Sequence, residues 1–303
     1  MKKVLVTGGT GLVGTAIEAD IKVGTKDADL RDWGQTNKLI ENHKPTHVVH
    51  TAARVGGVGG NMRAKGEFYY DNIRINTNVL ESCRINNVEK VVSILSTCIF
   101  PDKVEYPLTE KKIHLGAPHK SNYGYAYAYA KRMLDVQTEV YREQYNVNYT
   151  CVVPTNIYGP NDNFDIDNGH VLPSLIHKCY IAKQNNTNLE VWGSGEPLRE
   201  FIYSKDIGKL INWALDNYDD PESIIFSTSH EISIKDVVGL IVDAMGFTGK
   251  VIFDTTKPEG QFRKPSDNSK LLSLLPDFKF TPIDVGIKET VEWFTNNFDN
   301  ARK

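Results

Sequence analysis

The chain has 303 residues, of which 40% are hydrophobic and 24% charged, and its formal net charge is −3. That length allows one large domain or two modest ones with a core that needs no staples. The charge excludes a general attraction to nucleic acid or an anionic surface, and no apolar run reaches the roughly 18–20 residues of a membrane span.

In chain order, residues 2–7 read as a buried strand ending at Gly8, and residues 12–19 as a helix. Gly8 and Gly9 interrupt the short apolar start, so no signal peptide is expected. Between strand and helix, Thr7-Gly8-Gly9-Thr10-Gly11-Leu12-Val13-Gly14 spaces glycines at 8, 11 and 14. Gly8 permits a tight turn, Gly11 lets a pyrophosphate approach the backbone, and Gly14 lets the helix lie on its strand. The helix N-terminus attracts phosphate. Gly8, Gly9, Thr10, Gly11, Leu12, Val13 and Gly14 are therefore candidate contacts of a dinucleotide. A short, weak strand near 21–25 follows. At its end Lys26 places a cation where NAD requires an acid, which favours NADP(H) through its 2′-phosphate. Asp27 stands next to it and keeps NAD open. Asp29-Leu30 reads as the segment that meets adenine.

His47-Val48-Val49-His50 is another buried strand, followed by Ala52-Ala53 and a glycine-rich turn. Residues 67–86 read as a helix, with Ile73, Thr77, Leu80 and Arg84 at helical spacing. Residues 91–96 form a fourth strand that ends at Ser96-Thr97-Cys98. Residues 127–145 form a second long helix with Met133, Val136, Val140 and Tyr141 on one face, and 149–153 the next strand. Strands alternating with helices predict an α/β fold with a Rossmann-type doubly wound parallel sheet. After Pro154 the pattern changes. A polar loop spans 160–168, helices are expected at 171–182, 206–215 and 233–245, a short strand ends in the turn 191–195, and 257–268 reads as a loop. The second half is thus a smaller α+β substrate domain packed on the first. The cofactor domain takes 1–155 with a returning segment near 203–222, and the substrate domain takes 156–202 and 223–303.

The candidate chemistry lies at the end of the fourth strand. Tyr127 and Lys131 are four residues apart, so a helix puts both on one face. A tyrosine with a pKa near 10 donates poorly at neutral pH, and an adjacent ammonium lowers that value. Tyr127 can then protonate a carbonyl oxygen as hydride arrives, with Lys131 holding the nicotinamide ribose. Ser96 can donate to the same oxygen. Cys98, two residues on, projects from the same side if the chain is extended there. Groups that stabilise an alkoxide also stabilise the enolate formed by deprotonating a neighbouring carbon, so one pocket can epimerise beside a ketone and then reduce it. That needs an acid and a base on opposite faces of the sugar ring. Cys98 and His170 are the candidates, although a lone cysteine is more often an inert core thiol and a loop histidine is commonly solvated. Cys83, Cys151 and Cys179 complete the four cysteines. None has CxxC or zinc spacing, so no metal site is expected, and the thiols read as free in a reducing, cytoplasmic compartment.

Further motifs carry a resemblance. Ala52-Ala53-Arg54-Val55-Gly56-Gly57, Ser96-Thr97-Cys98-Ile99-Phe100-Pro101, the stretch Pro154-Thr155-Asn156-Ile157-Tyr158-Gly159-Pro160-Asn161-Asp162-Asn163-Phe164, and Gly169-His170-Val171-Leu172-Pro173 closely resemble the GDP-L-fucose synthase family of extended short-chain dehydrogenases/reductases, over nearly the whole chain. The resemblance implies NADPH-dependent 3,5-epimerisation and 4-reduction of GDP-4-keto-6-deoxy-D-mannose. Cys98 and His170 would be the acid/base pair at C3 and C5, and Ser96, Tyr127 and Lys131 would serve reduction at C4. Ala53, Pro154, Thr155, Asn156, Ile157 and His170 would meet the cofactor. Lys178, Trp192, Arg199 and Glu259 would hold the GDP-sugar. It further implies a homodimer in which the helices at 67–86 and 127–145 pair into a four-helix bundle.

The chain departs from the family pattern at three places. The segment between Gly14 and Asp27 is trimmed, Val58-Gly59-Gly60 repeats the preceding Val-Gly-Gly in a loop, and the run before Tyr127 is two residues longer. Two other readings stay open. One is a related nucleotide-sugar 4,6-dehydratase or 4-epimerase, although Cys98 stands where a dehydratase needs an acid. The other is a non-catalytic dinucleotide-binding protein, which has no use for Tyr127 with Lys131.

Overall fold

Short apolar runs build the large sheet of the computed structural model, which describes residues 1–118, 124–257 and 261–303. β1 (Val4–Thr7) is buried along its whole length, as expected of a strand covered on both faces. It leads through the glycine turn into α1 (Leu12–Ala16) and β2 (Ile21–Val23). α1 stops short of the expected residue 19. Ile17 already has extended backbone, Lys22 Nζ donates to the Thr15 carbonyl at 2.9 Å, and the Asp20 carboxylate accepts the Val4 N–H at 2.8 Å. These contacts draw the chain straight back to the sheet. α2 (Trp33–His43), which the apolar pattern did not announce, is capped by Asp32 accepting from the Gln35 N–H at 2.8 Å.

β3 (His47–His50) matches its expected bounds. The repeated Val-Gly-Gly then folds into α3 (Val58–Arg63), a short helix where a loop was expected, and α4 (Lys65–Ile85) follows. β4 (Lys90–Ile94) is fully buried, and α5 (Tyr125–Tyr145) returns the chain to β5 (Asn148–Pro154). Beyond it lie β6 (Asn156–Tyr158), α6 (Val171–Asn185), β7 (Leu189–Trp192), β8 (Leu198–Tyr203), α7 (Ser204–Asn217), β9 (Ile224–Phe226), β10 (Glu231–Ser233), α8 (Ile234–Met245), β11 (Val251–Asp254), α9 (Ser269–Leu274) and α10 (Ile283–Asn296).

The large sheet has six strands in the order β2-β1-β3-β4-β5-β9, all parallel. The expected doubly wound sheet is present. Its sixth strand, β9, lies just past the 203–222 stretch assigned to the returning segment. The chain runs from β1 to one side and then crosses back to the other, so the crevice beyond the ends of β1 and β3 is the point where ligands of such sheets bind. One face of the sheet packs on α4 and α5 through residues such as Leu80, Cys83, Leu134 and Tyr149. The other packs on α7 and α9 through Ile207, Ile211 and Leu271. α7 lies so close to α1 that a Cβ at Gly208 would fall 2.1 Å from the Ala16 carbonyl oxygen.

The second half carries a three-stranded sheet, β10-β8-β6, and a two-stranded one, β11-β7. α6, α8 and α10 enclose a separate aromatic core, with Phe164 stacked on Phe294 at 4.4 Å between ring centroids. Each large side chain buried there contributes about 1.5–3 kcal/mol. Among the described residues no helix is long and apolar enough to cross a membrane.

Candidate active site

The glycine turn forms a cradle at the end of β1. Gly8 sits at φ +68°, and a Cβ there would come within 2.9 Å of the Ala52 backbone. A side chain at this position would clash with the strand-end backbone, which only glycine avoids. Gly14 is tighter still, since its Cβ would lie 2.3 Å from the Gly8 carbonyl oxygen. The Gly11 N–H closes the turn on that carbonyl at 3.0 Å. The Asp27 carboxylate accepts the Gly24 N–H at 2.7 Å. One carboxylate oxygen thus closes its own turn, and Lys26 and Asp27 both stand exposed beyond β2. Asp29 is likewise tied to Arg31 at 2.8 Å. On the far side of the crevice, β5 ends at Pro154 and the Thr155 N–H donates to Phe226. The Thr155 hydroxyl oxygen is buried and finds no hydrogen-bond partner among the described residues. A glycine cradle past the end of β1 and a buried, unsatisfied hydroxyl past the end of β5, on the same edge of a parallel sheet, fit a dinucleotide laid across those strand ends.

Ser96, Cys98, Tyr127 and Lys131 gather just past β4. Residues Thr97–Ile99 form a 3-10 turn, not extended chain. The expectation that Cys98 shares a side with Ser96 through strand alternation is therefore corrected. It is the turn that brings them together, with Ser96 Oγ accepting the Cys98 N–H at 3.4 Å. Lys131 is almost fully buried and its Nζ donates to the Ile94 carbonyl at 2.7 Å. The same ammonium lies 5.9 Å from the centre of the Tyr127 ring. Burial brings the Lys131 pKa down to about 8, with Cys98 and Cys151 opposing. Burial pushes the Tyr127 phenol up, and the Cys98 sulfur adds to that. The depression expected from Lys131 does not appear, because burial dominates and the ammonium spends its hydrogen bond on the backbone of β4. Burial also raises the Cys98 thiol, while the Ser96 hydroxyl, Lys264 and Lys131 pull it back. The Cys98 sulfur thus acts on the Tyr127 phenol.

His170, Lys178, Trp192 and Arg199 line one cleft of about 900 Å³, together with Gly57, Asn156 and Ile157. Two motif loops meet at its rim. The Gly57 N–H donates to the Asn168 carbonyl at 2.7 Å, and the Arg63 guanidinium reaches the Asn168 side chain at 2.5 Å. His170 stands at the N-cap of α6 without using its ring to cap. The ring opens to the cleft but is walled by protein. That desolvation, with the charge of Arg302 second, holds the imidazole below its usual range. Trp192 is 53% exposed, and the Lys178 ammonium lies 4.8 Å over its ring. Burial lowers the pKa of both Lys178 and Arg199. Glu259 lies outside the described residues. Ser96, Cys98, Tyr127 and Lys131 are not in the wall of this cleft. They adjoin it through Gly124, which lines it at the start of α5, and through Asp102.

Two residues here escaped the sequence reading. Arg132 Nε donates to the Ile99 carbonyl at 3.0 Å, and Lys264 Nζ donates to the Thr97 carbonyl at 2.7 Å. Both hold the turn that carries Cys98. Arg132 adjoins Lys131 on α5, but its partner is a backbone carbonyl that helix spacing does not announce. Lys264 lies in a polar loop and has no spacing signal. Among the described residues no cluster of side chains could hold a metal, and all four cysteines are free.

Residues 4–227 match the model of the NAD dependent epimerase/dehydratase family. The chain is 52% identical to a GDP-L-fucose synthase of Dictyostelium discoideum, over 100% of this chain and 98% of that protein. It is 45% identical to a probable GDP-L-fucose synthase of Drosophila melanogaster, with both chains covered in full. A solved GDP-L-fucose synthetase of Naegleria fowleri, bound to NADP, superposes with a TM-score of 0.94 at 48% identity, over 100% of this chain and 95% of that one.

Proposed function

The chain belongs to the NAD-dependent epimerase/dehydratase family and, within it, to the GDP-L-fucose synthases, and on that premise we propose how its residues divide the reaction. The activity is the NADPH-dependent conversion of GDP-4-keto-6-deoxy-D-mannose to GDP-L-fucose, by inversion at C3 and C5 and reduction at C4. NADP(H) is the cofactor, and when bound it supplies the hydride. Gly8 to Gly14 hold its pyrophosphate, Lys26 its 2′-phosphate, and Ala53, Pro154, Thr155, Asn156, Ile157 and His170 its nicotinamide half. The unsatisfied Thr155 hydroxyl supports the nicotinamide side of that assignment, and exposed Lys26 the 2′-phosphate side.

The observation that carries the division of roles is the meeting of Tyr127, Lys131 and Cys98 beyond β4. The ketone oxygen gathers negative charge twice, as an enolate when a proton leaves C3 or C5 and as an alkoxide when hydride reaches C4. Ser96 and Tyr127 donate hydrogen bonds to it on both occasions. In the second event Tyr127 also hands over its proton, and Lys131 stabilises the phenolate left behind. Cys98 and His170 exchange protons with C3 and C5. At neutral pH the thiol rests protonated and the imidazole uncharged, so one can give and the other take without prior rearrangement. Arg199 and Lys178 hold the diphosphate, and Trp192, with Glu259, holds the nucleoside end.

The same reading divides the chain into a cofactor domain of 1–155 with a returning segment that runs past 203–222 to take in β9, and a substrate domain of 156–202 with the chain that follows β9. It also makes the protein a homodimer. Tyr69, Tyr70 and Ile85 on α4, and Met133, Val140 and Tyr145 on α5, are exposed, which supports pairing of the two helices with those of a second copy.

Incubation with NADPH and GDP-4-keto-6-deoxy-D-mannose, followed by product identification, tests the reading. One NADPH oxidised per GDP-L-fucose formed is expected. Turnover without net NADPH use indicates a 4-epimerase, and binding without turnover indicates a non-catalytic scaffold.

A further inference from the structure

The turn that carries Cys98 is held at both ends. α5 holds its exit through Arg132 on the Ile99 carbonyl. Lys264 holds its entrance through the Thr97 carbonyl, from 167 residues further along the chain. Lys264 belongs to a segment whose Gln261 lines the cleft. The backbone of Ser266 in that segment is fixed to buried Glu200 on β8, the Ser266 N–H donating to Glu200 Oε1 at 2.9 Å. An anchored arm thus runs from the wall of the cleft to the turn beneath the thiol.

The groups that interact electrostatically with the sulfur come from three places. Ser96 lies on its own segment, Tyr127, Lys131 and Arg132 lie on α5, and Lys264 lies on the arm. Each of these cations donates to a backbone carbonyl, Lys131 to Ile94, Arg132 to Ile99 and Lys264 to Thr97. Lys264, flanked by Arg199 and Asp102, is the cation that reaches Cys98 from the substrate side. Holding an ammonium there costs desolvation, which its lowered pKa records.

We propose that Lys264 is a positioning residue for Cys98: it pins the entrance of the Thr97–Ile99 turn, so fixing the aim of the thiol, and sets a positive charge beside the sulfur when the thiol gives up its proton. The proposal rests on the acid/base reading of Cys98 given above. It links the segment that borders the nucleotide-sugar cleft to the proton-exchanging group.

The test is alkylation of Cys98 by iodoacetamide as a function of pH, read by peptide mass spectrometry on the full chain. Cys83, Cys151 and Cys179 are buried and serve as internal controls. Lys264→Met is expected to slow alkylation at pH 8 on the order of tenfold, the size of a one-unit rise in thiol pKa. Lys264→Arg restores the parent profile. Lys264→Gln keeps a donor without the charge and falls between, which also keeps the proposal testable if Lys264→Met does not fold. Solvent deuterium exchange at the substrate carbons follows the same ranking, with kcat falling more than KM rises. An unchanged alkylation profile in Lys264→Met and Lys264→Gln overturns the proposal, and so does a defect confined to KM. Exchange that persists in Cys98→Ser removes instead the acid/base reading of Cys98, while the alkylation profiles still decide what Lys264 does.

Discussion

Asp162 buries a carboxyl in the loop that leads to His170. It is 3% exposed. One oxygen accepts the Asn163 N–H at 2.7 Å, and the other finds no hydrogen-bond partner among the described residues. Burial pushes its pKa from 3.8 up to about 7, against the Asn163 N–H and Arg302. The folded state therefore binds a proton that the unfolded chain has already lost between those two values. Stability falls as pH rises through that window, and it is flat above it. Asp162→Asn is expected to remove this slope and to raise stability at pH 8, on the order of 1–3 kcal/mol. Urea unfolding at pH 5 and pH 8 measures it, and parallel pH dependence in parent and variant contradicts it. At this scale the sequence revealed chemistry where roles follow spacing, as with Tyr127 and Lys131 on one helix face. It hid residues that act on backbone. Lys264 and Arg132 bind carbonyls, which no side-chain pattern announces, and Cys98 was placed beside Ser96 for a reason that the turn replaces.

The strand–turn–helix at the N-terminus tolerates nothing larger than hydrogen at Gly14. Gly14→Ala would drive a methyl group to 2.3 Å from the Gly8 carbonyl oxygen and force α1 off its strand. Overpacking of this kind costs about 1–3 kcal/mol, and it also displaces the amides meant for pyrophosphate. Titration of NADPH by fluorescence is expected to show at least about tenfold weaker binding, together with a lower Tm. Parent-like affinity would remove the cradle from cofactor binding. β1, β3, β4 and β5 were legible because parallel strands covered on both faces are continuous apolar runs. β6, β9 and β10 have three residues each, too few to establish a period. α2 was missed because its apolar content is thin, with Leu39 and Ile40 among its few buried positions. Its one local signal was the Asp32 and Gln35 pair at capping distance in sequence.

Across the whole molecule, the exposed apolar residues of α4 and α5 predict self-association. Introducing like charges with Tyr70→Glu and Met133→Glu is expected to convert a dimer to a monomer in sedimentation velocity, with the fold retained by circular dichroism. A parent that sediments as a monomer, or a variant of unchanged mass, contradicts the bundle. The same exposure explains why Met133 and Val140 share a face without joining the core, something that a periodicity cannot distinguish from burial. The central claim is that one ketone-centred pocket performs both inversion and hydride delivery, with shared donors to the ketone oxygen and separate proton-transferring residues. NMR of GDP-4-keto-6-deoxy-D-mannose in deuterium oxide, without reductant, tests it most directly across the parent, Cys98→Ser and Tyr127→Phe. The account predicts deuterium at C3 and C5 with the parent, its loss with Cys98→Ser, and slower but continuing exchange with Tyr127→Phe, which slows NADPH oxidation more, by about 10²–10⁴-fold when reductant is added. Equal deuterium incorporation by the parent and Cys98→Ser would contradict it.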